Sequence, residues 1–128
     1  MAEAAITRDG HGLTPAVIHH LADRYGSRLA EVLGLVARDP ALASPIVGGL
    51  PDPRAEVAQA VEHEWALTLD DVLRRRTQLA LRDVTGGADV AGEVASLMAA
   101  RLGWDTEAAR AAVRRYVDAV QEKRRRWQ

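Results

Sequence analysis

The 128-residue sequence contains no cysteine and no phenylalanine, and aromatic residues make up only 4% of it. Without cysteine there are no disulfides and no thiolate metal sites, which fits a reducing compartment. Without phenylalanine the interior has to be filled by Ala, Leu and Val, side chains that suit closely packed helices. An excess of one charge is lacking too: 17 basic against 18 acidic residues leave a formal net charge of -1. That balance removes any global electrostatic case for a nucleic-acid or membrane partner. No apolar run approaches the roughly 20 residues of a membrane-spanning helix, and no signal peptide is visible. These absences lead to the expectation of a soluble, cytoplasmic domain.

What is present is helical. Hydrophobic residues reach 48%, no stretch alternates with the period of a strand, and apolar residues recur at helical spacing. Residues 1–12 carry two glycines and scattered charge, and read as a flexible lead-in; residues 13–128 read as one helical domain. Thr14 and Pro15 open a first helix that ends at Gly26, Ser27 caps a second, and Asp39-Pro40 stops it. Four prolines and Gly48-Gly49 make residues 40–53 a connection with one short turn at 41–43. Asp52-Pro53 reads as the start of a third helix with Val57, Ala60, Val61 and Trp65 on one face. Thr68 caps a fourth by accepting from the N–H of Asp71, and Val72, Leu73, Leu79 and Leu81 continue it. Thr85-Gly86-Gly87 break the chain, Val90, Val94, Leu97, Met98 and Leu102 line a fifth helix closed by Gly103, and Asp105 caps the sixth and longest. Its inward positions are Ala109, Val113, Tyr116, Val117 and Val120, and it ends in a charged tail from Glu122. The expected fold is all-α, a compact bundle of five to six helices with short loops.

Residues 54–81, RAEVAQAVEHEWALTLDDVLRRRTQLAL, constrain one another most tightly, and a resemblance emerges there. HEWALTLDDVLRRRTQLAL resembles the signature block of the C-terminal helical domain of FAD-dependent glycerol-3-phosphate dehydrogenases and the related alpha-glycerophosphate oxidases. HLADRYG at 20–26 and EVASLMAARLGW at 93–104 are similar to two further blocks in the same order. Three ordered blocks are more specific than any one. The sequence departs from that pattern at Gln59, usually aromatic, at Trp65, usually methionine, and at Gln78, usually arginine. The resemblance implies an enzyme that oxidises sn-glycerol 3-phosphate to dihydroxyacetone phosphate, with hydride passing to FAD and electrons onward to membrane quinone. The FAD-binding catalytic domain is then the main partner, and membrane contact belongs to the full-length enzyme, on the cytoplasmic face. Expected roles for the helical domain are packing against that partner, shaping the outer active-site region, or self-association.

Catalytic, cofactor-binding and metal residues are not expected within this chain. His19 and His20 are adjacent and point about 100° apart on a helix, so they cannot share one ion well. His63-Glu64 starts like a zinc-protease helix, but Leu67 stands where the second histidine belongs. No serine sits in a nucleophile elbow, and no GxGxxG or Walker loop occurs, which leaves Gly48-Gly49 and Gly86-Gly87 as turns. The basic run Lys123 to Arg126 complements a helix C-terminus. Glu64 and Arg76 fall on the inward stripes of neighbouring helices and are expected to form a buried, two-pronged ion pair. Trp65, Arg74 and Arg75 are the expected interdomain face. A stand-alone helical adaptor for protein or nucleic acid is the alternative reading.

Overall fold

The computed structural model describes residues 13–83 and 85–126; the expected lead-in at 1–12 and the indole of the tail, Trp127, lie outside these. The described residues are all-α, with six α-helices and a single isolated bridge between Pro45 and Pro53. They fall into two compact units, the first ending at Gln59 and the second starting at Ala60.

The first unit opens with α1, Pro15–Tyr25, where the Val17 N–H donates to Thr14 Oγ1 at 3.3 Å and Pro15 supplies a preset φ. Ile18 and Leu21 are buried. Gly26 ends the helix at φ +53, ψ −122, a positive-φ position outside the left-handed helical well. Ser27 does not cap the next helix: residues 26–28 form a 3-10 turn and α2, Leu29–Arg38, begins without a side-chain cap. Val32, Leu35 and Val36 form its buried stripe. Asp39 is extended, as the residue before proline must be, and its carboxylate accepts from the Ala41 N–H at 3.2 Å to close the 3-10 turn Pro40–Ala43.

The unit boundary falls within α3, Ala55–His63. This helix starts two residues later than the reading of Asp52 as cap and Pro53 as first helical residue implies; Asp52 is buried and its carboxylate is engaged by Arg24. Its end is a second correction. The Ala60 carbonyl accepts from both the Glu64 and Ala66 N–H groups, at 3.1 and 3.0 Å, and Trp65 between them takes φ +62. That is the helix-ending turn in which glycine usually occupies the left-handed position. Trp65 therefore leaves the face it shares with Val57 on paper and is 87% exposed.

In the second unit, residues 69–82 do not form one regular helix. Asp71–Arg76 is wound as a π-helix, Gln78 takes φ +57, and α4 is only Leu79–Arg82. The Thr77 N–H and hydroxyl both reach the Val72 carbonyl, at 2.9 and 2.8 Å, spanning five residues rather than four. The wider turn shifts the phase of every later side chain, so Val72, Leu73 and Leu79 stay buried while Arg76 and Leu81 turn outward. After the Gly86-Gly87 turn comes α5, Ala91–Leu102, which buries Ala91, Val94, Ala95 and Met98. Gly103 at φ +75 closes it, and the Asp105 carboxylate accepts from the Ala108 N–H at 2.8 Å to start α6, Thr106–Arg126. The small residues of α5 and α6 let these helices pack closely, with Ala112 and Tyr116 as the buried positions of α6. Among the described residues no helix is long and apolar enough to cross a membrane.

Candidate functional site

The densest polar chemistry lies in the first unit. His20 and Arg24 are four residues apart on α1 and so share a face, with Tyr25 beside them; Asp52 and Glu56 are likewise four apart across the start of α3. Arg24 Nη1 donates to Asp52 Oδ2 at 2.9 Å and to Glu56 Oε1 at 2.7 Å. The Tyr25 hydroxyl donates to Glu56 Oε1 at 2.8 Å, and His20 Nε2 stands 3.0 Å from Glu56 Oε2 and 3.4 Å from Asp52 Oδ2. Both carboxylates are fully buried. Burial opposes the charge on Arg24, but Glu56 and Asp52 outweigh it and raise the guanidinium pKa above its ordinary value. His20, Asp52 and Glu56 offer donor atoms within 4.8 Å of one another, a spacing that a divalent cation can use. The Arg24 guanidinium already bridges both carboxylates, so a cation there would have to displace it.

In the sequence alone Asp52 reads as a cap and His20 as one of two adjacent histidines, and Glu56 carries no assignment. The signal was available in two i,i+4 pairs of opposite sign, inside the HLADRYG block and at the head of the signature stretch.

In the second unit, the Asp71 N–H donates to Thr68 Oγ1 at 3.0 Å, while Asp71 Oδ2 accepts from the N–H groups of Leu67 and Thr68 at 3.0 and 3.2 Å. Each residue satisfies the other's end of the turn. The backbone donors from Leu67 and Thr68, with Arg75 nearby, hold the Asp71 carboxyl below its usual range. Glu64 and Arg76 approach loosely. Arg76 Nε is 3.9 Å from Glu64 Oε1, and its Nη2 donates instead to the Glu64 backbone carbonyl at 3.0 Å. The Arg76 side chain is 49% exposed, so the buried two-pronged geometry expected of it is absent, for the phase reason given above. Arg74 pairs with Asp70 at 3.1 Å and Arg75 with Asp71 at 3.7 Å; Arg75 and Asp71 line a hollow with Trp65, whereas Arg74 and Asp70 line a different one with Leu81.

A Cβ on Gly86 would meet Val120 at 3.0 Å and one on Gly87 the Tyr116 hydroxyl at 3.0 Å, so this glycine pair receives α6 rather than a phosphate. Gly48-Gly49 is open but does not lead into a helix N-terminus.

Comparison with known proteins agrees with the signature blocks. Residues 2–109 match the family model of the C-terminal domain of alpha-glycerophosphate oxidase. Glycerol-3-phosphate dehydrogenase 2 of Mycobacterium tuberculosis is 43% identical over 93 residues, which is 73% of this chain and 16% of that protein. Glycerol-3-phosphate dehydrogenase of Synechocystis is 32% identical over 120 residues, 94% of this chain and 22% of that protein, and the mitochondrial enzyme of Homo sapiens is 32% identical over 99 residues, 74% of this chain and 14% of its own. The chain thus spans about one sixth to one fifth of the length of these bacterial relatives. No solved structure matches. With the three blocks, the all-α architecture and this coverage together, the chain belongs to the family of the C-terminal domain of alpha-glycerophosphate oxidase and glycerol-3-phosphate dehydrogenase.

Proposed function

We propose that this chain is the accessory helical part of an FAD-dependent glycerol-3-phosphate dehydrogenase, an enzyme that oxidises sn-glycerol 3-phosphate to dihydroxyacetone phosphate. The flavin and the substrate belong to the FAD-binding body of that enzyme, and so does contact with the cytoplasmic face of a membrane. The observation that carries the reading is the family match over residues 2–109. The polar chemistry here supports a scaffolding role rather than a reacting one: Asp52 and Glu56 are buried, and Arg24, Tyr25 and His20 on α1 tie them to that helix.

The test is a chimera in which this chain replaces the matching segment of the mycobacterial relative. The expected result is retained FAD and glycerol-3-phosphate-dependent reduction of a dye acceptor, where the same relative with the segment deleted has little of either. A chimera that behaves like the deletion overturns the reading.

A further inference from the structure

We propose that a groove on the second unit, between residues 65–81 and the middle of α6, is the seat of the FAD-binding body of the same enzyme, which presents an apolar ridge edged with carboxylates. The inference rests on the reading of the chain as the C-terminal part of a glycerol-3-phosphate dehydrogenase, and it locates the surface that such a part requires.

Three large hydrophobic side chains are exposed among the described residues, and all three lie in this stretch: Trp65 at 87%, Leu67 at 60% and Leu81 at 80%. Two adjoining hollows of about 300 and 190 Å³ share Asp70, Tyr116 and Ala119 as a common wall. Leu67 and Trp104 line the first, Leu81 and Val120 the second. The exposed leucines therefore stand on either side of one apolar trough rather than at scattered points, and contiguous apolar surface of this kind marks an interaction site. Trp65 lies outside these two hollows, on a third lined also by Glu64, Asp71, Arg75 and Arg76, at the start of the same stretch of sequence. Its φ of +62 belongs to a turn position where glycine is the usual occupant, and the side chain placed there is the largest available, held out in water.

Charge narrows the occupant. The two hollows are lined by one acid, Asp70, against Arg74, Arg115, Lys123 and Arg124. A second copy of this chain docking symmetrically would bring the same cations to face themselves. A partner with carboxylates around an apolar ridge meets no such opposition. In the mycobacterial relative about five sixths of the length lies outside the segment matched here. Where the two parts share one chain, the contact forms at high effective concentration, so the surface need not be self-sufficient. The Synechocystis match, at 120 of 128 residues, reaches Val120 or beyond and so includes the α6 wall of the trough.

The absence of native cysteine makes a direct test available. Leu67→Cys and Leu81→Cys are introduced singly, with Ala37→Cys on the first unit as the reference. Labelling by a water-soluble maleimide is followed by peptide mass spectrometry, in the 128-residue chain and in the chimera with the mycobacterial relative. The expected result is labelling at 67 and 81, relative to 37, at least tenfold slower in the flavin-loaded, active chimera than in the chain alone. Equal relative rates in a chimera that holds flavin and turns over overturn the seat and leave the functional reading standing. A chimera with neither flavin nor turnover overturns that reading, and the seat with it. Slow labelling in the chain alone that becomes fast on dilution assigns the groove to a second copy and overturns the proposal.

Discussion

In the first unit two carboxylates, Asp52 and Glu56, are wholly buried, and the groups around them are an arginine, a phenol and an imidazole on α1. In the second unit the arrangement is reversed: arginines and a lysine sit outside, an apolar trough lies between them, and the exposed hydrophobic residues are Trp65, Leu67 and Leu81. One unit spends its charges internally and fixes its own geometry. The other leaves both its cations and part of its apolar surface turned toward solvent. The difference separates a cluster whose charges meet one another from a face whose apolar and charged groups meet water, and only the second fits the docking role proposed above.

The contrast breaks most easily at Glu56. Glu56→Ala removes the acceptor shared by Arg24, Tyr25 and His20, leaves the phenol and the imidazole without it, and leaves the partly buried guanidinium with Asp52. The expected loss is about 3–5 kcal/mol, or outright failure to fold. Glu62→Ala removes a surface partner of Arg101 at 3.2 Å and should cost about 1 kcal/mol or less. Urea melts of the two variants check this, and equal losses would mean that the first unit does not depend on its internal charges.

The next effect tests whether the second unit has a rigid point of its own. The Tyr116 hydroxyl donates to the Gly86 carbonyl at 2.7 Å, and Gly87 at φ +87 lies against the ring. Gly87→Ala places a Cβ 3.0 Å from that hydroxyl in a conformation that L residues avoid, and should cost about 1–3 kcal/mol. Burial, then the charge of Asp70 and that of Asp83, push the Tyr116 phenol up to about 12 from 10.0, against a lowering influence from Arg74. The folded state therefore holds this proton more tightly than the unfolded one. Its contribution is complete below pH 10 and is lost as pH rises through about 12, at most about 3 kcal/mol. Tyr116→Phe should flatten that alkaline decline in a pH series of thermal melts, and an unchanged slope would remove Tyr116 as its source.

Helix positions, the breaks at Asp39-Pro40 and at Gly86-Gly87, and the Thr68–Asp71 turn were legible because they depend on local backbone chemistry. What escaped were changes of phase. The π-helical turn at Asp71–Arg76 and the left-handed Trp65 rotate side chains off the faces that a 3.6-residue period assigns them, and no residue type announces either. A carboxylate on the buried side of α3 needs an arginine: Glu64 does pair with Arg76, at 3.9 Å and from a half-exposed guanidinium, but the fully buried carboxylate with such a partner is Glu56, eight residues earlier, and its arginine is Arg24. A single sequence does not reveal that α1 returns to α3, so local neighbours were favoured over a pairing 32 residues apart.

A smaller effect is expected at the turn that carries the trough's first leucine. Thr68→Ala leaves the Asp71 N–H without its acceptor and should cost about 1 kcal/mol. Because backbone donors from Leu67 and Thr68 depress the Asp71 carboxyl, its contribution is present above its unfolded value of 3.8 and is lost as pH falls through the lower folded one. Asp71→Asn should weaken that acid-side slope, and a slope identical to the parent's would show that the turn is held by other bonds.

The smallest effect, and the sharpest contrast with Glu56, is the coupling of Glu64 to Arg76. At 3.9 Å from a half-exposed guanidinium, the Glu64 carboxylate gains little that water and salt do not screen. The stronger contact runs from Arg76 to the Glu64 main-chain carbonyl, one of those left open where α3 ends, and no substitution at Glu64 removes it. A double-mutant cycle over Glu64→Ala and Arg76→Ala should therefore return a coupling below about 1 kcal/mol, shrinking further in 0.5 M salt. Arg76→Ala should still show a salt-independent loss of about 1 kcal/mol from the uncovered carbonyl in the Glu64→Ala background. A coupling of about 3 kcal/mol or more that resists salt would place a buried ion pair in the second unit after all, and would end the distinction between a unit that spends its charges inside and one that leaves them at the surface.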